Sequence, residues 1–167
     1  MIEINIPGRE AVIVKNILLD LNGTMSIDGE IIEGVKGRLQ RLSERVDLHI
    51  VTADTGGQAE KTIEKLKGDS RSEGKYLEIS LHVIEKGEED FQKLELVQVL
   101  RSHETVCIGN GSNDTLMLKE SCIGICVLGK EGAATEAIMS ADVVTSHIKD
   151  ALDLLLMPKR LIATLRK

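Results

Sequence analysis

Short apolar runs alternate along the chain with segments whose apolar residues recur every three or four positions. The apolar runs predict strands at residues 16–20, 46–52, 77–84, 105–108, 122–128 and 141–144. The helical spacing predicts helices at 34–42, 58–66, 88–100, 114–119 and 133–139, with two more separated at Met157 and Pro158. This alternation is typical of βαβ units. It predicts an α/β fold with a mostly parallel, Rossmann-like sheet.

The two ends of this pattern add detail to the expected architecture. Residues 2–6 and 11–14 flank Pro7-Gly8 and predict an N-terminal β-hairpin. The most loop-like stretch, 67–74, is too short to divide domains, so we expect a single domain over residues 1–167. Helices should cover both faces of the sheet, because parallel strands are usually buried on both sides.

Composition narrows the classes of partner. Apolar residues make up 42% of the chain but aromatic residues only 1%, so the chain lacks platforms on which single-stranded bases would stack. The net charge of −6 argues against nucleic acid and anionic membranes as partners. The three cysteines lie in apolar runs and are expected to be buried, reduced thiols. Without a signal-like or membrane-spanning segment, we expect a cytoplasmic protein.

Polar residues follow several of the predicted strands. Asp20 ends the run ILLD, and Thr52 ends the run HIVT. Lys93 lies in the helix that follows the next strand, and the loop 109–114 (GNGSND) follows the strand after it. Each feature alone has a plain structural alternative: a helix cap, a strand-end hydroxyl, a solvated lysine or a tight turn. Together they should meet at the carboxyl edge of a parallel sheet, where such folds bind ligands.

These residues, in this order, resemble the motifs of the haloacid-dehalogenase superfamily of phosphotransferases, over about residues 16 to 155. ILLDLNGT is similar to the family's first motif, Asp-x-Asp-Gly-Thr, and IVTAD to its second. Lys93 fits the third motif, and CIGNGSND resembles the fourth. The tail 121–142 looks most like the phosphorylation domain of P-type ATPases. The short gaps between motifs imply a member without a cap domain.

The resemblance implies a nucleophile and a metal site. Asp20 would attack phosphorus and form an aspartyl-phosphate, and Mg²⁺ would bridge its carboxylate and the phosphate. The main-chain carbonyl of Asn22, the side chain of Asn110 and the carboxylate of Asp114 are the other expected metal ligands. Asp114 has a second expected role, which is to support Lys93.

The resemblance also implies a phosphate pocket for a small phosphorylated substrate. Thr52, with Ala53 beside it, would bind phosphoryl oxygens, and Asn113 would donate a hydrogen bond to them. Lys93 would place a positive charge against both Asp20 and the phosphate. Residues 25–32, with a two-residue turn at Asp28-Gly29, should form a small flap over the site.

Two positions depart from the family pattern. Asn22 stands where the phosphatases have an aspartic acid that protonates the leaving group, and an amide cannot do this; losing such help typically costs about 10²–10⁴-fold in rate. The family's P-type ATPases and dehalogenases also lack this acid. Asn110 stands where an aspartate usually binds Mg²⁺, and its neutral oxygen should bind the metal more weakly.

Three explanations of the two asparagines stay open. The chain is a slow or specialised phosphatase, a degenerate domain that binds a phosphorylated ligand or a protein partner without turnover, or a sequence in which asparagine was introduced to trap a state. Both asparagines precede glycine, so spontaneous deamidation to aspartate is conceivable. An open site without a cap also leaves room for specificity from a neighbouring subunit, and a homo-oligomer is expected.

Overall fold

The computed structural model describes residues 1–54, 57–68 and 76–166. Within these residues the strands are β1 (Ile2–Ile4), β2 (Val12–Val14), β3 (Asn16–Asp20), β4 (Ser26–Ile27), β5 (Glu30–Ile31), β6 (Asp47–Thr52), β7 (Ser80–Val83), β8 (Thr105–Gly109), β9 (Ile123–Val127) and β10 (Val143–Thr145). The helices are α1 (Val35–Ser43), α2 (Gln58–Lys67), α3 (Glu89–Val99), α4 (Thr115–Glu120), α5 (Thr135–Ser140), α6 (Ile148–Leu156) and α7 (Pro158–Leu165). Of the predicted loop at 67–74, residues 69–74 lie outside the described residues.

Six strands form one sheet in the order β10-β9-β8-β3-β6-β7, and every neighbouring pair is parallel. The prediction of a mostly parallel sheet is confirmed. The predicted N-terminal hairpin is also confirmed, because β1 and β2 pair antiparallel in a separate two-stranded sheet. The strand predicted at 77–84 is shorter than expected and runs only from Ser80 to Val83.

Alternating side chains of the central strands bury into two separate apolar layers, which puts helices on both faces as predicted. On β3, Leu19 packs into the layer that includes Leu39 of α1 and Leu152 of α6. Leu18 packs into the opposite layer, with Val97 of α3. Because β3 has a buried layer on each side, its three middle residues are apolar, and its one carboxylate stands at its end.

The strand order creates a switch point beside β3. The chain moves outward from β3 through β6 to β7, and then α3 returns it to β8 on the other side of β3. Connections that diverge in this way open a crevice at the carboxyl ends of the strands. The same crossing carries α3 beneath the end of β3, so a side chain on α3 can reach the strand's last residue.

A small hairpin lies in the chain between β3 and α1, directly after the strand that ends at Asp20. Strands β4 and β5 pair antiparallel, with Ser26 opposite Ile31. The turn residues Asp28 and Gly29 have φ values of 52° and 79°, the left-handed geometry that a two-residue turn of this kind needs. The predicted hairpin with its two-residue turn is therefore confirmed, while its role as a flap over the site stays a prediction. The described residues between β3 and α1 hold no larger cap.

The three cysteines do not form disulfides. Cys107 and Cys126 are buried and Cys122 is partly buried, in keeping with the prediction of reduced apolar thiols. Burial raises the pKa of the Cys126 thiol to about 11, so this thiol is not a nucleophile near neutral pH. In the parts of the chain that the structure describes, no helix has the length and apolar character needed to span a membrane.

Two histidines form a pair between β6 and β7. Asn16 donates its amide N–H to the Leu100 carbonyl, so its Oδ1 is left to accept from His49 Nε2, 3.4 Å away. His49 Nδ1 therefore lacks a proton and accepts from His82 Nε2 at 3.1 Å. Burial lowers the pKa of both imidazoles, and for His49 the neighbouring His82 lowers it further. Both imidazoles of the pair are therefore neutral at pH 7.

This pair predicts a loss of stability in mild acid. In the unfolded chain both histidines take up protons near their ordinary pKa of about 6.5. The folded chain resists protonation, so its stability is fully present above that pH and is lost as the pH falls through the lowered pKa values. The melting temperature of the wild type should therefore fall more steeply between pH 7.5 and pH 5 than that of a His49→Gln/His82→Gln variant.

The matched control for this experiment is His103→Gln, which removes an exposed histidine. This control should keep the wild-type slope of melting temperature against pH. Equal slopes for the wild type and the double variant would show that the pair does not govern stability in acid.

Candidate active site

A crevice of about 530 Å³ opens at the carboxyl ends of β3, β6 and β8. The predicted site residues that line it are Asp20, Asn22, Thr52, Ala53, Lys93, Asn110 and Asn113. Asp114, the remaining predicted residue, lies directly beneath, where Lys93 contacts it. The structure thus brings the residues predicted from four separate chain segments to one place. Their individual roles are not tested by this proximity and stay predictions.

Asp20 lines the crevice, and each of its two carboxylate oxygens lies near a different side chain. Its Oδ1 accepts a hydrogen bond of 2.8 Å from Lys93 Nζ, while its Oδ2 lies 3.4 Å from the Thr24 hydroxyl. Burial, with the nearby Asp114 charge, raises the pKa of Asp20 to about 7, although Lys93 opposes the shift. The carboxylate is therefore poorly stabilised by the protein alone, and a positively charged ligand would favour its ionised form.

Lys93 connects Asp20 to a second carboxylate, that of Asp114. Its side chain is 1% exposed, and Nζ donates to Asp20 at 2.8 Å and to Asp114 at 2.6 Å. Burial alone would lower the pKa of this ammonium, but the two carboxylates outweigh burial and raise it. Lys93 is therefore charged, and it is held from both sides in one position.

Asp114 shapes the loop at the end of β8. Its Oδ2 accepts main-chain hydrogen bonds from Asn110 and Gly111, each 2.9 Å long, while its Oδ1 accepts from Lys93. A Cβ atom at Gly109 would lie 2.5 Å from this carboxylate, which explains the glycine. Both oxygens of Asp114 are occupied and the residue is fully buried, so its contacts favour support of Lys93 over direct binding of a metal.

Thr52 and Asn22 face each other across the crevice floor. The Thr52 hydroxyl oxygen lies 3.2 Å from the Asp54 main-chain N–H and 3.4 Å from Asn22 Nδ2, and accepts from both. Its own proton donates to no residue among those described, which leaves it available to a bound oxygen anion. The hydroxyl of Ser26 lies 3.5 Å from the Asn22 side-chain oxygen. These contacts fix the orientation of the Asn22 side-chain amide, with Nδ2 towards Thr52 and Oδ1 towards Ser26.

Asn110 ties the crevice to the loop between β9 and α5. Its Oδ1 accepts a 3.1 Å hydrogen bond from Thr24, and its Nδ2 donates to the Gly132 carbonyl at 3.1 Å. An aspartate could not make the second of these bonds, because a carboxylate has no N–H to donate. Asn110 is therefore a structural donor as well as a possible ligand.

Asn113 has a partner that its sequence position does not indicate. Its Nδ2 donates to the Glu89 carboxylate at 2.7 Å, at the start of α3. The predicted hydrogen bond from Asn113 to a phosphate uses the same amide, which has a second N–H available. Binding of phosphate by Asn113 and by Ala53 stays a prediction.

The oxygen atoms around Asp20 are of the kind that Mg²⁺ prefers. Asp20 Oδ2, the Asn22 main-chain carbonyl and Asn110 Oδ1 would supply three of its ligands, with water completing an octahedron. Over the described ranges, no three His, Cys, Asp or Glu side chains converge on a ready-made metal site. Asn110 is consistent with that result, since it presents a neutral oxygen where the family pattern has a carboxylate. These oxygen atoms suit Mg²⁺ chemically, although only the oxygen of Asp20 belongs to a group that can carry a negative charge.

Sequence reasoning assigned no role to Thr24 beside the crevice, or to several residues that line it, among them Glu131. Thr24 contacts both Asp20 and Asn110, and it belongs to the first motif, so its position in that motif was an available signal. Glu131 lines the crevice from the β9–α5 loop. Nothing in its local sequence points to the site, because its approach depends on how the loop returns over the sheet edge.

Comparisons with known proteins agree with the motif resemblance. A family model described as haloacid dehalogenase-like hydrolase matches residues 39–151, more than half of the chain. The chain is 46% identical over 84 residues to an uncharacterized protein of Methanocaldococcus jannaschii, a match covering 48% of this chain and 90% of that protein. It is 42% identical over 69 residues to phospholipid-transporting ATPase VD of Macaca fascicularis, covering 40% of this chain and 10% of the ATPase.

Solved structures share the fold at low sequence identity. One is a 3-deoxy-D-manno-octulosonate 8-phosphate phosphatase of Moraxella catarrhalis in complex with magnesium, phosphate and KDO, with TM-score 0.62, 20% identity and coverage of 92% of this chain and 94% of that one. Another is a putative phosphatase of the same description from Vibrio cholerae, with TM-score 0.65, 14% identity and coverage of 88% and 86%. A third is the cobalt-bound phosphatase of this kind from Haemophilus influenzae, with TM-score 0.62, 13% identity and coverage of 92% and 94%.

The buried charges predict opposite effects on stability for two substitutions. Asp20→Asn removes a carboxylate that burial and Asp114 disfavour, yet it keeps an oxygen for Lys93, so the melting temperature should rise. Lys93→Met leaves two buried carboxylates without their cation. Breaking such a pair costs about 3–5 kcal/mol, or about 6–20 °C in a domain of this size. Both are measured by thermal unfolding in metal-free buffer, and a lower melting temperature for Asp20→Asn would contradict this account.

Proposed function

We propose that this chain, which belongs to the haloacid dehalogenase-like hydrolases, is a phosphohydrolase that acts on small phosphorylated substrates through a phosphoaspartate at Asp20. One observation carries the proposal. One oxygen of Asp20 is fixed by Lys93 at 2.8 Å, and Asp20 lines a crevice open to solvent. A carboxylate held in this way is placed for in-line attack on a phosphoryl group.

The first step joins Asp20 to the phosphoryl group. Asp20 Oδ2 attacks phosphorus, a new O–P bond forms, and the bond from phosphorus to the leaving oxygen breaks, so that the electron pair goes to the leaving group. Lys93 stays hydrogen-bonded to Oδ1 and to Asp114, which keeps the attacking carboxylate from rotating. Positioning and charge stabilisation supply most of the acceleration in reactions of this kind.

Two groups stabilise the transferring phosphoryl oxygens. The ammonium of Lys93 places its charge at the crevice floor, where burial strengthens its effect. The Thr52 hydroxyl accepts from Asp54 and Asn22, so its free proton can donate to a phosphoryl oxygen. When bound, Mg²⁺ would act as a Lewis acid on the phosphate and neutralise charge near Asp20. The magnesium- and cobalt-bound phosphatases of the same fold support a divalent cation here.

Asn22 sets which leaving groups the site accepts. Its amide cannot protonate the departing oxygen, so that oxygen must leave as a stable anion or take its proton from water. In the second step, water attacks phosphorus, the Asp20 O–P bond breaks, and the proton of the water passes to bulk solvent, so that inorganic phosphate leaves with Asp20 regenerated. Asn22 cannot activate this water either, so the intermediate should persist longer than in a phosphatase with aspartate at this position.

A second function, binding without turnover, is favoured by a specific observation. Asn22 and Asn110 each use an amide N–H in a hydrogen bond, to Thr52 and to Gly132, that an aspartate could not donate. The two amides are therefore integrated into the structure around them. In this alternative, the crevice would bind a phosphorylated ligand or a phosphorylated protein partner and release it unchanged.

The dependence of the hydrolysis rate on the leaving group tests the proposed phosphohydrolase function. We expect p-nitrophenyl phosphate and acetyl phosphate to be hydrolysed with Mg²⁺ present, and an alkyl phosphate such as glycerol phosphate to be hydrolysed about 10²–10⁴-fold more slowly, because it needs the missing acid. Equal rates would show that another acid serves. Asp20→Asn should abolish turnover of all three substrates, which controls for contaminating phosphatase.

The same experiment separates the two functions. If neither the wild type nor Asp20→Asn shows turnover, yet phosphate or vanadate raises the melting temperature, the binding function is supported. If the wild type shows neither turnover nor stabilisation, both proposals fail.

Asn22→Asp should restore the acid. We expect kcat for the alkyl phosphate to rise by up to about 10²–10⁴-fold, with a smaller gain for p-nitrophenyl phosphate, whose leaving group needs no proton. The Mg²⁺ concentration for half-maximal rate should change little, since position 22 is expected to contact the metal only through its main-chain carbonyl. A uniform gain across both substrates would point to a role in binding instead of proton transfer.

A further inference from the structure

We propose that Glu131 is a metal ligand of this site and supplies the negative charge that Asn110 lacks. The inference rests on the proposed function, because it concerns the Mg²⁺ of that reaction. It goes beyond the family motifs, since Glu131 lies in the β9–α5 loop, outside the first-motif and fourth-motif residues expected to bind the metal. Its basis is a convergence of side chains around Gly23, one residue from the expected carbonyl ligand at Asn22.

The position of Gly23 locates the Glu131 carboxylate. A Cβ atom at Gly23 would lie 2.6 Å from Glu131 Oε2, 3.0 Å from Asn110 Nδ2 and 3.3 Å from Asn110 Oδ1. Glu131 and Asn110 therefore approach the same point above the turn that follows β3. Gly23 itself has a φ of 76°, so both its backbone and the space above it require glycine. Any side chain there would push the carboxylate away from the turn.

The loop that carries Glu131 is anchored on both sides of it. Gly129 donates its N–H to the Ser146 carbonyl at 3.0 Å, and Ala134 donates to the Asn110 main-chain carbonyl at 2.9 Å. Gly129 and Gly132 have φ values of 58° and 77°, which let the chain turn sharply before and after Glu131. The loop thus projects the Glu131 side chain from two fixed ends.

Asn110 is one of these anchors, so the neutral amide at position 110 is connected structurally to the carboxylate at position 131. Its Nδ2 donates to the carbonyl of Gly132, the residue next to Glu131. An aspartate at position 110 would lose this bond and would place a second carboxylate against that of Glu131. The amide and the glutamate are therefore complementary: the amide draws the loop towards the crevice, and the loop brings a carboxylate to the place where the amide has none.

The Glu131 carboxylate is exposed and has no hydrogen-bond or ion-pair partner among the described residues. It is not needed to neutralise Lys93, which Asp20 and Asp114 already hold. A free carboxylate beside neutral oxygen donors is an available ligand for a hard divalent cation. Glu131 lines the same crevice as Asp20 and Asn110, so its carboxylate is within the site where the metal is expected.

The experiment measures metal binding directly, without substrate. Isothermal titration with MgCl₂, and electron paramagnetic resonance with Mn²⁺, give the dissociation constants for the wild type and for Glu131→Gln. We expect Glu131→Gln to bind both ions about 10–100-fold more weakly. The matched control is Glu136→Gln, which removes the same charge from an exposed residue of α5 outside the crevice, and it should bind both ions as the wild type does.

A further pair of variants tests whether the two positions substitute for each other. Asn110→Asp in the Glu131→Gln background should restore the Mg²⁺ dissociation constant to within about threefold of the wild type, because a carboxylate returns to the same place. Circular dichroism and the melting temperature of each variant show that the fold is kept.

The outcomes separate this inference from the function on which it rests. If the wild type binds Mg²⁺ and Glu131→Gln binds it equally well or more tightly, Glu131 is not a ligand, and the proposed phosphohydrolase stands without it. If the wild type binds neither Mg²⁺ nor Mn²⁺, the metal-dependent mechanism fails, and the role of Glu131 fails with it.

Discussion

Lys93 is a buried ammonium held between two buried carboxylates, and the rest of the site is arranged around it. Its two hydrogen bonds join α3 to the end of β3 through Asp20, and to the loop after β8 through Asp114. A charge this deeply buried is tolerated only with such partners, so the crossing of α3 beneath the sheet, the glycine-rich loop and the strand-end aspartate depend on one another. The same contacts therefore fix the geometry of the crevice and the packing of this edge of the sheet.

The cluster of Asp20, Lys93 and Asp114 has two carboxylates for one ammonium, and this imbalance of charge limits which ligands the crevice can bind. Asp20 is disfavoured as an anion by burial and by Asp114, and Lys93 compensates only in part. A further cation near Asp20 would stabilise its ionised carboxylate. Asparagine at positions 22 and 110 adds no negative charge to the repulsion within the crevice, but it also adds none that could hold a metal. A carboxylate on a surface loop, as at Glu131, can provide that charge while remaining hydrated when no metal is bound.

The fold and most of the crevice were predictable because their signals are local. Strand runs, helical spacing and strand-end polar residues indicated the parallel sheet, the flap and the meeting of Asp20, Thr52 and Lys93. The partners were not predictable. Asn113 binds Glu89, and Glu131 reaches Gly23, because of how α3 and the β9–α5 loop return over the sheet. Such contacts depend on the paths of loops, which the spacing of apolar residues along the chain does not indicate.

The sequence places a glycine after both Asn22 and Asn110, a context that favours deamidation. The structure disfavours this reaction at both positions. The reaction requires the glycine nitrogen to attack the asparagine side-chain carbonyl. The Gly23 nitrogen donates to the Ser26 carbonyl at 2.9 Å, and the Gly111 nitrogen donates to Asp114 at 2.9 Å. Both nitrogens are thus held in hydrogen bonds that belong to the flap and to the Lys93 cluster. The same contacts that build the crevice keep positions 22 and 110 as amides, so the chemistry of the site has to be explained with asparagine in both places.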